Sequence, residues 1–138
     1  MTKEQNKQMV VDFYAALERG DFDTAAAMCH EDFVFYSQVD SPRPGVRGFI
    51  EAEKKHLDCF EGFTMKVDTI AEGERVAAYV DFEGPQTQEF YGIAPSGRRL
   101  HMTMLNLFTV RDGKFIEKRA HYDRYDHMMQ LSADPVSI

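Results

Sequence analysis

The sequence predicts an α+β fold in which helices come first and an antiparallel sheet follows. Over roughly the first 60 residues, apolar side chains recur three and four positions apart, as one face of a helix requires. After Gly62 the pattern changes to an alternation of apolar and polar residues, which is typical of half-buried strands. The pair Asp112-Gly113 between two long alternating segments is a strong signal for a tight hairpin. We therefore expect helices packed on one face of the sheet.

The first helix is predicted over residues 3–19. Thr2 is a suitable N-cap, Gln5 stands three residues later as a capping box requires, and Gly20 is a natural stop. The apolar face of this helix comprises Met9, Val10, Phe13, Tyr14 and Leu17.

The remaining elements follow from caps, alternation and turn residues. Asp21 caps a second helix over residues 22–29, and a third helix covers residues 48–60. A strand at residues 32–36 precedes a loop at 41–45. The later strands are predicted at residues 63–70, 75–82, 89–93, 100–110 and 114–122, before a last short helix at 125–131.

Length and charge limit the number of domains and the kinds of partner. The chain of 138 residues suits a single domain spanning 1–138, and 43% apolar residues suffice for a core. The formal net charge is −7, and no Lys/Arg-rich run interleaved with aromatics is present. Both nucleic acids and anionic membranes need clustered positive charge, so we expect neither as a partner.

Cysteine usage and the N-terminus indicate the cytoplasm. Cys29 and Cys59 have neither a disulfide framework nor a metal-ligand spacing, so we expect buried free thiols and no metal site. The N-terminal segment is polar and helical in pattern, unlike a signal peptide. No apolar run approaches the ~20 residues that cross a bilayer.

The Asp112-Gly113 turn predicts which residues of its two strands lie opposite each other. With a two-residue turn, the pairs are Asn106 with Arg119, Met104 with His121, and Met102 with Asp123. Opposed residues share a sheet face. One face then carries Met102, Met104, Asn106, Phe108, Arg119, His121 and Asp123. A one-residue bulge would exchange the faces.

That face mixes methionine and phenylalanine with a few polar groups, which is typical of a ligand pocket. A solvated face is the alternative. Within a pocket, Asn106 is suited to a carbonyl and Arg119 to an oxyanion or carboxylate. Three tyrosines are further candidates for lining residues, with ordinary core packing as the alternative: Tyr14, Tyr36 and Tyr79.

Three segments resemble a known family. Residues 91–99 (Tyr-Gly-Ile-Ala-Pro-Ser-Gly-Arg-Arg), residues 111–117 (Arg-Asp-Gly-Lys-Phe-Ile-Glu) and Asp123 resemble the SnoaL-like polyketide cyclases of the nuclear-transport-factor-2-like superfamily. The family pattern is Gly-x-x-Pro-Thr/Ser-Gly-Arg, a strand, Asp-Gly-Lys-Ile-x-Glu, and an aspartate six residues after that glutamate. The resemblance extends over residues 5–132.

The resemblance implies a cone-shaped domain that encloses one deep apolar pocket, usually a homodimer through the sheet, without metal or organic cofactor. Family cyclases close a polyketide ring by intramolecular aldol condensation, and the aspartate that matches Asp123 is their general acid/base. The family commonly has Trp two residues after the glutamate, where this chain has Arg119. We expect an arginine there to narrow or polarise the pocket.

Asp123 and His121 are the predicted catalytic residues. A carboxylate among apolar walls has its charged form disfavoured, which suits a base, whereas Arg119 on the same face would oppose that effect. His121 would share a proton with Asp123 or orient it. The alternatives are that Asp123 caps the last helix and that His121 is a rim residue without chemistry. His101 falls on the opposite face, and His30 and His56 are expected at helix ends or the surface.

Three functions fit these residues. The first is cofactor-free proton transfer next to a carbonyl, as in a polyketide cyclase or a ketosteroid isomerase. The second is a ligand-binding or association domain without catalysis. The third is an epoxide hydrolase of the limonene type, with Asp81 and Asp123 as carboxylates, although the arginine that such a site needs near Tyr79 is missing.

Overall fold

The computed structural model describes residues 1–38 and 40–132, which form an α+β cone with a curved, unclosed sheet. Its helices are α1 (Lys3–Glu18), α2 (Phe22–Ala27), α3 (Val46–Leu57) and α4 (Arg124–Leu131), and a 3-10 turn, Asp58–Phe60, follows α3. Its strands are β1 (Cys29–Ser37), β2 (Arg43–Pro44), β3 (Thr64–Glu72), β4 (Arg75–Pro85), β5 (Arg99–Arg111) and β6 (Lys114–His121).

The predicted N-caps of α1 and α2 are confirmed by local hydrogen bonds. Thr2 Oγ1 accepts from the Gln5 amide at 3.1 Å, and Gln5 Oε1 accepts from the Thr2 amide at 2.8 Å, which completes the capping box. Asp21 caps α2, as predicted. These caps satisfy amide groups that have no partner within the helix.

The sheet order is β2-β1-β6-β5-β4-β3, and one of its pairs is parallel. The expectation of an antiparallel sheet is therefore wrong for β1 and β6, whereas the other four pairs are antiparallel. Alternation of side chains reveals that a segment is a strand but not the direction of its partner. Only the tertiary fold brings the first long strand beside the last one.

Two short segments differ from the prediction. Residues 43–44, expected in a loop, form β2 on the edge of the sheet. The strand expected at residues 89–93 is a loop with a single bridge between Phe90 and Ile93. Gln86 holds this loop in place, because its buried side-chain amide donates to the carbonyls of Gln88 and Ile93 at 3.1 and 2.8 Å.

The β5–β6 hairpin has the predicted turn but not the predicted register. Arg111 faces Lys114, as expected, but a bulge follows: Val110 pairs with Phe115 and Thr109 with Glu117. Beyond this bulge Asn106 faces Ala120, and Leu105 faces His121. The predicted pairs of Asn106 with Arg119 and Met104 with His121 are therefore wrong.

Packing explains the bulge. Phe115 is fully buried and Lys118 is 3% exposed, so both side chains lie on the inner face of the sheet. Three positions separate them, and strict alternation would send them to opposite faces. The extra residue, Ile116, allows both side chains to point inward. It also exchanges the sheet faces on which the following side chains of β6 lie.

The core lies between the inner sheet face and the helices. Phe13 of α1 stacks on Phe49 of α3 and meets Phe108 and Phe115 edge-on, with centroid distances from 5.4 to 6.2 Å. The outer face exposes Ile70, Tyr79 and Leu105. Among the described residues, none of the helices has the length and apolar character to span a membrane.

Candidate functional site

A cavity of about 600 Å³ lies between the inner sheet face and helices α1, α3 and α4. This volume is in the range of pockets that hold small molecules. The apolar part of its lining consists of Leu17, Phe35, Ala52, Leu57, Phe60, Met65, Phe82, Phe90, Met102, Met104 and Ala120. Two clusters of polar side chains at this cavity bear on its chemistry.

Five predicted pocket residues lie on the inner side of the sheet. Tyr14, Met102 and Met104 line the cavity. Asn106 and Phe108 are fully buried in the layer beneath it, where Asn106 contacts Tyr14 and Phe108 packs against the Tyr14 ring. The 3.6-residue period of α1 and the alternation of β5 place all five on the inner side, but Asn106 and Phe108, which were also predicted to line the pocket, do not line it.

The remaining predicted site residues do not line the cavity. Tyr79 and His121 are exposed on the outer face of the sheet. Arg119 also lies there, with its guanidinium carbon 3.9 Å above the Tyr36 ring. The expectation that Arg119 narrows the pocket is therefore wrong, because the bulge turns residue 119 outward. Its partners are the carboxylates of Glu117 and Asp40, each at 2.6 Å.

Asp123 is the N-cap of α4. Its Oδ1 accepts from the Asp126 amide at 3.1 Å, its side chain is exposed, and it is not a lining residue of the cavity. This arrangement is the helix-cap alternative considered for Asp123.

The buried polar group, here called the floor cluster, consists of Tyr14, Glu53, Asn106 and Lys118. Lys118 Nζ lies 3.6 Å from Glu53 Oε1. It also lies 5.2 to 5.7 Å from four ring centroids, those of Tyr14, Phe35, Phe49 and Phe108. Burial by itself lowers the pKa of Lys118, but the charge of Glu53 and hydrogen bonding to Glu53 and Tyr14 outweigh burial and hold this pKa above its ordinary value. The floor cluster therefore presents an ammonium group to the cavity at neutral pH.

The Tyr14 hydroxyl is held by its neighbour in the floor cluster. Asn106 Nδ2 donates to Tyr14 Oη at 2.7 Å. This bond uses an acceptor site of the hydroxyl and leaves its proton free to be donated. Burial raises the pKa of Tyr14 to about 12, so the phenol keeps that proton at neutral pH.

The second polar group, here called the histidine cluster, consists of His56, Tyr91, Tyr122 and His127. Tyr91 Oη lies 3.2 Å from His56 Nε2, and the rings of Tyr122 and His127 stack at 5.6 Å. Burial lowers the pKa of both His56 and His127, so both imidazoles are neutral near pH 7. A neutral imidazole lining a cavity is suited to accept a proton.

The sequence interpretation missed several of these groups. Glu53 and His56 stand three apart, which places them on one face of α3, and this spacing was readable in advance. Lys118 gave no such signal, because its inward position depends on the bulge at Ile116. Among the described residues, no group of three or more His, Cys, Asp or Glu side chains is arranged to hold a metal ion.

A family model for SnoaL-like polyketide cyclases matches residues 8–131. The chain belongs to the SnoaL-like polyketide cyclase family. The match covers the cavity-lining segments from α1 to α4, so the cavity described above is the pocket of a SnoaL-like domain. No curated protein sequence gives a significant match.

Solved structures agree with this family fold. IdmH of Streptomyces antibioticus, a candidate polyketide cyclase, is 28% identical with a TM-score of 0.80, over 92% of this chain and 98% of that one. A candidate SnoaL-like polyketide cyclase of Jannaschia sp. CCS1 is 24% identical, with a TM-score of 0.87 over 96% and 95%. AclR of Streptomyces galilaeus, a candidate hydroxylase, is 22% identical, with a TM-score of 0.87 over 97% and 100%. The last two show similarity of fold alone.

Proposed function

We propose that this SnoaL-like domain is an enzyme that moves a proton next to a carbonyl group of a small, largely apolar molecule, without a cofactor. The observation that carries the proposal is the floor cluster, which presents a buried ammonium and a phenol proton to an apolar cavity. Such donors stabilise the negative charge that develops on oxygen when a carbonyl compound loses a proton from the adjacent carbon. Membership of a polyketide cyclase family supports the same class of reaction.

In the proposed reaction, the substrate carbonyl oxygen binds to Lys118 Nζ and the Tyr14 hydroxyl. His56 is one helical turn from Glu53 and takes the proton from the carbon next to that carbonyl. The electron pair of the broken C–H bond moves into the carbonyl group and gives an enolate. In a cyclase the enolate carbon attacks a second carbonyl of the same molecule, and protonated His56 returns the proton to the new alkoxide. In an isomerase, His56 returns the proton to a different carbon.

The assignment of Asp123 as the acid/base group stays a prediction. The exchange experiment described below compares Asp123 with His56 in this role. The structure favours His56, because this imidazole lines the cavity while the Asp123 carboxylate accepts a backbone amide of α4. His121, predicted to assist Asp123, is exposed on the outer face.

Exchange of the carbon-bound protons of 2-tetralone in deuterated buffer, followed by NMR, tests the proposal. We expect the wild-type protein to accelerate exchange. His56→Gln should lose about 10²–10⁴-fold of that acceleration, the usual contribution of a general base. Lys54→Gln is the matched control, because Lys54 lies on α3, pairs with Asp58 and does not line the cavity.

Two outcomes would contradict this assignment. If Asp123→Asn loses as much acceleration as His56→Gln while it remains folded, Asp123 is the acid/base group. If the wild-type protein accelerates exchange in neither 2-tetralone nor a panel of β-keto esters and steroid ketones, the non-catalytic binding domain is the better function.

An epoxide hydrolase of the limonene type needs two carboxylates in its cavity, and in the part of the chain that the structure describes no such pair lines the cavity. Asp81 lies on the outer sheet face, where its Oδ1 is 2.9 Å from His101 Nε2. Asp123 caps α4. Glu53 supplies the one carboxylate that the described residues contribute to the lining.

We also propose that the outer sheet face pairs with a second copy of the chain. Tyr79 and Leu105 are opposite each other on neighbouring strands, with 51% and 55% of their surfaces exposed, and Ile70 is 72% exposed. Light scattering of the purified protein should give the mass of a dimer, and Leu105→Glu should give the mass of a monomer.

We further propose a cytoplasmic location, which fractionation of cells would test.

A further inference from the structure

The described cavity lining carries mostly positive charge, whereas the whole chain has a negative net charge. The chain has 23 Asp and Glu residues against 16 Lys and Arg, for a formal charge of −7. Among the described residues, the lining has one carboxylate, that of Glu53, against four basic side chains: Arg43, Lys55, Lys118 and Arg124. Lys118 is paired with this carboxylate, so the other three positive charges have no carboxylate partner within the described part of the cavity lining.

These three side chains, here called the cationic rim, are Arg43, Lys55 and Arg124. All three are exposed, unlike Lys118, so they lie where the cavity lining meets solvent. Among the described residues, none of the three forms an ion pair with a carboxylate. Lys54, the immediate neighbour of Lys55, does form one, with Asp58 at 2.8 Å.

The side chain of Arg124 is already held in place beside the histidine cluster. Its guanidinium carbon lies 4.3 Å above the Tyr91 ring, and its Nη2 lies 3.4 Å from the Tyr122 hydroxyl. A guanidinium group stacked on a ring keeps its N–H edge available, and two N–H groups of that edge match the two oxygens of a carboxylate. Lys55 and Arg124 both act electrostatically on His56, so their charges lie near one part of the lining.

We propose that the substrate is an organic anion, an apolar ring compound that carries a carboxylate or an equivalent acidic group as well as the reacting carbonyl. The inference rests on the proposed function, since it names the substrate class of the same site. The acidic group binds at the cationic rim, the rings occupy the apolar middle of the cavity, and the carbonyl reaches the floor cluster. The two charged ends of the cavity thereby fix the orientation of the substrate.

A matched pair of probes tests this inference: 2-naphthoate and its uncharged methyl ester, which have the same rings. Calorimetric titration at low ionic strength should show about tenfold tighter binding of 2-naphthoate, and high salt should reduce this preference several-fold. Arg124→Gln and Lys55→Gln should each weaken binding of 2-naphthoate about threefold or more and leave binding of the ester unchanged. Lys54→Gln is the control, because it removes a neighbouring positive charge that does not line the cavity.

Unchanged ester binding also shows that each variant is folded with an intact cavity. Equal affinity for the two probes, or tighter binding of the ester, would overturn the inference. A preference for 2-naphthoate that survives both rim substitutions, or that Lys54→Gln removes equally, would overturn it as well.

The binding assay tests the anionic substrate and the exchange assay tests the enzyme, so either proposal can be contradicted without the other. Preferential binding of 2-naphthoate without acceleration of any proton exchange would support the anion site and contradict the proposed enzyme. Acceleration of exchange in 2-tetralone without preference for 2-naphthoate would support the enzyme and contradict the anionic substrate.

Discussion

The two ends of the cavity hold their charged groups in different ways. At the floor, Lys118 is 3% exposed, paired with Glu53 and surrounded by aromatic rings. At the rim, Arg43, Lys55 and Arg124 are exposed and have no carboxylate partner among the described residues. Charges in a dry, fixed environment act strongly on a reacting group, whereas exposed charges are screened by salt and act mainly in recognition. The floor is therefore suited to chemistry and the rim to the choice of ligand.

The largest expected effect is on catalysis at the floor. Lys118→Met should lower the rate of 2-tetralone exchange by about 10²–10³-fold, the usual cost of removing a donor that stabilises an oxyanion. Binding of methyl 2-naphthoate, measured by calorimetry, should change little. Lys114→Met on the same strand is the control, because Lys114 is exposed and outside the cavity lining. A loss of less than about threefold in Lys118→Met would remove this residue from the proposed reaction.

The second effect is on stability, and it compares the two members of the buried ion pair. Glu53→Gln should lower the free energy of unfolding in urea by about 3 kcal/mol, because it leaves the buried Lys118 ammonium without its anionic partner. The double variant Glu53→Gln/Lys118→Met removes both charges and should recover most of that loss. A double variant no more stable than Glu53→Gln would show that the pair is not coupled.

The third effect is the pH dependence of stability in the histidine cluster. Burial lowers the folded-state pKa of His56 and His127 from the ordinary 6.5, so the unfolded chain binds protons that the folded chain does not. The free energy of unfolding should therefore keep its full value above pH 6.5 and should decrease as the pH drops through the folded-state pKa values.

The charged groups that act on these two rings set that pH dependence. His56 is affected by Glu53, Lys55 and Arg124, and His127 by Asp123, Asp126 and Arg124. Urea unfolding curves measured between pH 7 and pH 5 should show a weaker dependence for His56→Gln and for His127→Gln than for the wild type. The same dependence in all three proteins would show that these imidazoles are not the source.

The smallest effect is on the helix cap outside the cavity. Asp123→Ala should cost about 1 kcal/mol of unfolding free energy, because the Asp126 amide loses its acceptor. Asp123→Asn should cost little, since asparagine is an equally good N-cap. Thermal unfolding of the two variants measures this difference. If Asp123→Asn destabilises as much as Asp123→Ala, the carboxylate charge matters beyond the cap.

Most of the helical half was readable from the sequence, because its signals are local. The capping box at Thr2, the cap at Asp21 and the apolar face of α1 depend on residues within one or two turns, so Tyr14 could be placed toward the core in advance. Met102 and Met104 were placed correctly for the same reason, because alternation within one strand assigns them to one face.

The other half of the site depends on how strands pair. One extra residue at Ile116 moved Lys118 inward and turned Arg119 and His121 outward, and no local pattern distinguished the bulged hairpin from the regular one. The parallel pairing of β1 with β6 had no local signal either. His56 was expected at a helix end or the surface; it does lie in the last turn of α3, but only the tertiary structure places it in the cavity lining beside Tyr91.

Local signals in the sequence established the α+β class, the family and most of the elements, since periodicity, caps and motif spacing are properties of neighbouring residues. Long-range packing decided how the polar side chains of different elements meet in the cavity. The burial of Phe115 and Lys118 on one face requires the bulge, and the bulge in turn sets every side chain of β6 that follows it. Long-range packing, which the sequence pattern does not encode locally, therefore brought Lys118 beside Tyr14 and Glu53 in the cavity lining.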